Sequence, residues 1–281
     1  MTGTAWDAEY ETLAINRGGA VLHVTLNRSE SRNAMSLRMV AELRSVLASA
    51  EAGGLIRVLV LRGAGGHFCA GADLKDMAAA RMQAVQGGAR SSEEGLVLDA
   101  VAQANRQFGE LALAYANTPL ALVAVLEGSV MGGGFGLACV ADVALASESA
   151  LFRLPETSLG LVPAQITPFL LERLGYSQAK RLAVTGGCVT ADQALAIGLV
   201  HGVHAPDQLD AALAAVLTDI LACAPGALAA TKALLAKARQ TPAVDLVQEA
   251  ALVFSRAAQG AEGLEGTTAF LQKRKPTWVV Q

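Results

Sequence analysis

An α/β core followed by a helical C-terminal region is the fold class that the sequence predicts, and three observations carry it. Near-continuous apolar runs at residues 55–61, 120–126 and 140–146 read as strands buried on both faces. Helical segments separate these runs, as the crossovers of a parallel sheet require. From about residue 177 onward the alternation gives way to Ala-rich helical segments. The chain has ample material for a core: 281 residues, 53% hydrophobic, 17% charged and a mean hydropathy of +0.40, which excludes extended disorder.

In chain order, residues 10–17 and 21–27 suit strands, the second alternating Val21, His23 and Thr25 against Leu22, Val24 and Leu26. Arg17-Gly18-Gly19 between them predicts a hairpin. Ser36 is placed to cap a helix over 36–51, with Leu37, Val40, Leu43 and Leu47 on one face and Gly53-Gly54 as its stop. The strand at 55–61 follows. Residues 77–98 hold Gly87-Gly88, Ser91-Ser92 and Glu93-Glu94 without sustained periodicity, which predicts a long mobile loop or weak helix bordering a site. After the strands at 120–126 and 140–146, helices are predicted at 177–185, 190–197, 208–222, 226–238 and 244–258. The division expected is a core over residues 1–205 and a helical region over 206–281.

Composition excludes several functions. A net charge of −3 and a pI near 5.8 leave no broad basic footprint for nucleic acid. The longest stretch without a formal charge, between Glu110 and Glu127, has 16 residues against the ~20 that a membrane helix needs. No apolar segment precedes Tyr10, so no secretory signal is expected. Cys69, Cys139, Cys188 and Cys223 form no Cys-x-x-Cys pair and read as small core residues of a reduced, cytoplasmic protein. His201-x-x-His204 has ligand-like spacing but no neighbouring thiol or carboxylate until Asp207, so a polar connection is the better reading and no metal is expected. Neither a Gly-x-Ser-x-Gly elbow nor a phosphate loop ending in Gly-Lys-Ser/Thr occurs.

Two glycine-containing turns remain. Gly66-His67-Phe68-Cys69-Ala70-Gly71-Ala72-Asp73-Leu74 follows one predicted strand, and Gly128 through Gly136 follows another and opens a helix. Backbone N–H groups at such strand–helix turns favour negative charge. Two of them on neighbouring strands, one N–H from each, have the design of an oxyanion hole. Tight helix–sheet packing is the other role these glycines can fill.

These motifs, together with Leu154-Pro155-Glu156, Leu159-Gly160-Leu161, Leu26-Asn27-Arg28, Arg32-Asn33-Ala34 and Phe270 through Pro276, resemble the crotonase superfamily of enoyl-CoA hydratases and isomerases over nearly the whole chain. The resemblance implies a spiral of ββα turns making two stacked sheets, with a C-terminal helical region for trimerisation and closure of the CoA site. It implies that the N–H groups of Ala72 and Gly133 hold a thioester oxygen, and that Ala70, Asp73, Leu74 and Lys75 line the CoA channel. Arg28 and Lys275, the latter from a neighbouring subunit, are implied partners for CoA phosphates, with a solvated surface role as the alternative. Coenzyme A enters as part of the substrate, so no separate cofactor is expected; the expected partners are an acyl-CoA and further copies in a homotrimer or dimer of trimers.

The catalytic pair departs from the family pattern. Typical hydratases of the family carry two glutamates. Glu156 matches the second, whereas Gly136 stands at the first. The apolar run before Glu156 predicts partial desolvation and a raised pKa, as a general acid/base needs, against the alternative of a capping or ion-paired surface acid. Gln165 and Thr167 are candidates for orienting water. A single carboxylate alone favours double-bond isomerisation. The combination of Phe135-Gly136, Glu156 and Gly160 through Ile166 instead resembles hydratases of branched glutaconyl-CoA substrates, which similarly lack the first glutamate; there Arg153 is a candidate for meeting the second carboxylate. Hydration of a 2-enoyl-CoA is therefore the expected reaction, with Δ3-Δ2 isomerisation and a non-catalytic acyl-CoA-binding scaffold as alternatives.

Overall fold

The computed structural model describes residues 9–86 and 99–279. The N-terminal stretch at 1–8 and the 87–98 part of the expected loop lie outside the described residues. Strands β1 (Leu13–Gly18) and β2 (Val21–Leu26) form the expected antiparallel hairpin. The helix α1 (Leu37–Gly53) begins where the sequence places it, with the Ser36 hydroxyl accepting from the Met39 N–H. Strand β3 (Val58–Gly63) pairs parallel with β2; α2 (Leu74–Gln86) and α3 (Ala100–Asn117) then lead to β4 (Ala121–Leu126), parallel with β3.

Thereafter the chain winds as ββα turns. Strand β4 is followed by β5 (Ser129–Met131) and α4 (Gly133–Val140). Strand β6 (Val143–Ser147) is followed by β7 (Leu151–Arg153), a short 3-10 helix (Glu156–Leu159) and α5 (Thr167–Thr185). Strand β8 (Cys188–Thr190), α6 (Ala191–Ala196) and β9 (Gly202–His204) complete the spiral. One strand of each turn joins a six-stranded sheet, β1-β2-β3-β4-β6-β9; the other joins a three-stranded sheet, β5-β7-β8. This is the ββα spiral that the resemblance implies.

The large sheet is buried on both faces, and strand alternation divides its side chains. Leu22, Val24, Leu26, Leu59, Leu61, Leu122 and Ala124 belong to the main core with α1, α3 and α4. Val58, Val60, Val123, Val125 and Leu145 face the other way and pack on Leu209 and Leu213 of α7 (Leu209–Ala222). The helical region after residue 205 thus covers one face of the core sheet. Arg62 of β3 clamps this arrangement, pairing with Glu127 at 2.7 Å and Asp210 at 2.6 Å. Helices α8 (Pro225–Ala238), α9 (Ala243–Gln259) and α10 (Ala261–Leu271) follow, and the Trp278 indole N–H donates to Ala222 O at 3.0 Å.

Residues 77–86 take the weak-helix alternative expected for this stretch: α2 is Ala-rich, so it forms a helix, yet it buries only Ala80 and therefore shows little periodicity. Three expectations need correction. Helix α5 starts ten residues before the predicted 177, continuing through Gly175, whose φ of 69° marks a kink. Helix α10 has no counterpart among the predicted segments. Cys69 and Cys139 are buried, but Cys188 on an edge strand and Cys223 at the end of α7 are exposed. No single helix among the described residues is long and apolar enough to cross a membrane, and no group of three metal-ligating side chains occurs among them.

Candidate active site

The turn after β3 is fixed from two sides. Asn33, fully buried, accepts from the Arg28 N–H at 2.8 Å and donates to Ala64 O and His67 O. Ala70 N–H donates to Arg32 O, Met35 N–H to Gly71 O, and Asp73 N–H to Met35 O. In a parallel bridge of this kind, the residue between the two bonded peptides points its own N–H away from the partner strand. That residue is Ala72, and its N–H finds no acceptor among the described residues. On the opposite side, Cys69 bridges Val130 of β5, with Cys69 N–H donating to Ser129 O and Met131 N–H to Cys69 O.

This zipper brings the two glycine turns into contact. Gly132 has φ 50° and ψ −116°, a conformation suited to glycine, and a Cβ there would lie 3.4 Å from Gly71 Cα and 3.0 Å from Glu156 Oε1. The Gly132 N–H donates to Arg153 O, and Gly134 packs so closely on Cys69 that a Cβ there would overlap the Cys69 Cβ. Gly133, the first residue of α4, keeps an N–H without an acceptor among the described residues. Ala72, Gly133 and Glu156 line one cavity of about 470 Å³.

Glu156 opens the 3-10 helix, its Oε2 buried with no hydrogen-bond partner among the described residues. Burial pushes its carboxyl above the ordinary value of 4.5, with its own backbone N–H working weakly the other way. The ionised form is poorly solvated and correspondingly basic. Around it the cavity is mostly apolar, walled by Met35, Phe108, Leu161 and Ile166 among others. Ile166 also accounts for Gly136: a Cβ on that buried glycine would overlap Ile166 Cγ2 and lie 3.3 Å from Phe108 Cζ. The place of a second carboxylate is filled by hydrocarbon.

The remaining sequence candidates are distributed unevenly. Asp73 lines the cavity, ion-paired with Arg28 at 2.8 Å and accepting from the Lys75 N–H. Burial opposes its charge, but the Lys75 N–H and the Arg28 guanidinium hold its carboxyl below the ordinary value. Arg28 also donates to Ala34 O at 2.6 Å, so its guanidinium has two internal partners. Ala70 in the same turn, and Leu74 and Lys75 at the start of α2, lie outside the cavity lining, with Leu74 and Lys75 exposed. Lys275 is exposed beyond α10, away from the lining. Gln165 does line the cavity. Thr167 does not, because its hydroxyl donates to Pro163 O at 2.6 Å, and Arg153 lies exposed at the end of β7 outside the lining. Phe108, Met35 and Asn105 were not singled out from the sequence; the helical spacing of Asn105, Phe108 and Gly109 on α3 is the signal that marks a shared face.

Comparison with known proteins agrees with this construction. The family model described as enoyl-CoA hydratase/isomerase matches residues 16–281. The 2,3-dehydroadipyl-CoA hydratase of Escherichia coli (strain K12) is 35% identical over 267 residues, covering 94% of this chain and 97% of that protein. Among solved structures, Pseudomonas aeruginosa AtuE is 50% identical with a TM-score of 0.89, covering 96% of this chain and 100% of its own. An enoyl-CoA hydratase/isomerase from Marinobacter aquaeolei is 46% identical with a TM-score of 0.89, at the same coverages. The chain belongs to the enoyl-CoA hydratase/isomerase family.

Proposed function

We propose that this protein hydrates a 2-enoyl-CoA, with Glu156 as the sole acid/base and the Ala72 and Gly133 N–H groups as the oxyanion hole. The observation that carries the reading is a half-buried carboxylate, its Oε2 buried and without a partner among the described residues, in the same cavity as two N–H groups left without acceptors. In the forward step the Glu156 carboxylate takes a proton from water as the water oxygen bonds to Cβ. The Cα=Cβ electron pair moves toward the thioester, and the charge that develops on its oxygen is met by the two N–H groups. Glu156 then returns the proton to Cα as the enolate collapses, so one water is added and the carboxylate is regenerated. The branched glutaconyl type is the acyl class we favour, since the Escherichia coli relative is named for a diacid-derived substrate.

Isomerisation is the second reading, favoured by the hydrocarbon over Gly136 that leaves a single base. There Glu156 takes a proton from C2 of a 3-enoyl-CoA and returns it to C4. Ultraviolet absorbance of the conjugated thioester separates the readings. A hydratase removes it from crotonyl-CoA or 3-methylglutaconyl-CoA, an isomerase creates it from a 3-enoyl-CoA, and a scaffold does neither. We also propose self-association, as a homotrimer or dimer of trimers, through α9 and α10. There Val244, Val247, Phe254, Phe270 and Leu271 are exposed large apolar residues.

A further inference from the structure

Among the described residues lining the cavity, two side chains carry N–H donors, Asn105 of α3 and Gln165 of the segment before α5. They are joined to each other, Gln165 Nε2 donating to Asn105 Oδ1 at 2.8 Å. The Gln165 amide is also seated on α3: a Cβ on Gly109 would overlap its Oε1 and stand 2.6 Å from its Cδ. Gly109 therefore acts as a socket that holds this amide in one place. Of the four N–H bonds on two carboxamides, the mutual bond uses one, which leaves three donors for a ligand.

Position decides what those donors meet. Phe108 lies beside Gly133 and Gly136, 3.1 Å and 3.3 Å from the Cβ positions of those glycines. Asn105 is three residues earlier on the same helix, a displacement of roughly 5 Å along α3. The carbon that receives water is only two bonds from the thioester carbonyl, so an amide pair roughly 5 Å along α3 from Phe108 is offset from the reacting carbons. Apart from Glu156, the cavity's other polar side chains are acceptors with partners of their own. Asp76 accepts from the Leu37 N–H, Asp99 from the Ala102 N–H, and Asp73 from Arg28.

We infer that Asn105 and Gln165 form a subsite for a hydrogen-bond-accepting oxygen, carboxylate or hydroxyl, on the distal part of the acyl group. The inference rests on the cavity being an acyl-CoA site and leaves the reaction type open. Its test uses saturated thioesters, which cannot be hydrated: calorimetric affinities of the full chain for glutaryl-CoA, 5-hydroxyvaleryl-CoA and valeryl-CoA. The native protein should bind one or both oxygenated esters several-fold to about tenfold more tightly than valeryl-CoA, the net scale of a hydrogen bond made by a partly exposed amide pair. Preference for glutaryl-CoA alone assigns a carboxylate; preference for both assigns hydrogen bonding without a need for charge. Asn105→Leu and Gln165→Leu should each lower the preference toward unity, as should Gly109→Ala, which displaces the amide without removing a polar group. Equal native affinities for all three esters overturn the inference, and so does a preference that survives both leucine variants. Loss of hydration on crotonyl-CoA with the affinity preference intact would instead count against the hydratase reading alone.

Discussion

Glu156 has to be desolvated to be a strong base, and that requirement has a cost in stability. A carboxyl whose proton is bound more tightly in the fold stabilises it fully below the unfolded-state value, near 4.5, and loses that contribution as pH rises through the folded-state value. Glu156→Gln should therefore raise the melting temperature relative to the native protein at pH 7–8, with the difference vanishing near pH 4, as a thermal scan across pH would read. Each unit of upward shift is worth about 1.4 kcal/mol. The same variant should lower turnover by about 10²–10⁴ while CoA-ester affinity persists; retention of more than ~10% of the rate contradicts the assigned role. For the native enzyme, kcat/KM should rise with pH up to an inflection above 4.5, because the base must be ionised to accept the proton from water. Gly136 makes a complementary case. Gly136→Glu should cost about 1–3 kcal/mol in a denaturant titration, because its Cβ meets Ile166, and Ile166→Ala in the same chain should recover part of that loss.

At the scale of elements, the start of α4 separates a catalytic donor from a structural one. Gly133 is the first helical residue, where proline lacks an N–H that the helix does not use. Gly133→Pro should keep the fold, with Phe108 giving way by a few tenths of an ångström, and lower the rate by about 10²–10³. Circular dichroism beside the thioester assay checks both halves, and an active, folded variant dismisses the proposed hole. The strand–helix turns were legible because glycine spacing and apolar runs are local signals. Helix α2 was legible only as an alternative to a loop, because a helix that buries one alanine has almost no periodic stripe to read. The early start of α5 was hidden for a different reason: Pro163 and Pro168 punctuate the sequence as a loop, yet Pro168 sits in the first turn, where the helix tolerates it.

For the whole molecule, the exposed apolar residues of α9 and α10 predict assembly. Val244, Val247 and Phe254 follow a helical repeat on α9, each more than 60% exposed. Sedimentation should give trimers or hexamers, and Phe254→Asp should shift the protein to smaller species. If Lys275 reaches a neighbour's CoA, that variant also weakens CoA-ester binding. The sequence by itself determined the strand–helix alternation, the glycine turns and Glu156 as the motif carboxylate, since each is written in contiguous residues whose chemistry acts locally. Tertiary structure alone decided that Arg28 turns inward to Asp73, that Ile166 and Phe108 close over Gly136, and that Gln165 rests on Gly109 beside Asn105. Those are contacts between residues about 30 to 60 positions apart, fixed by how the spiral stacks its turns, and no local pattern encodes a steric fit made across that distance.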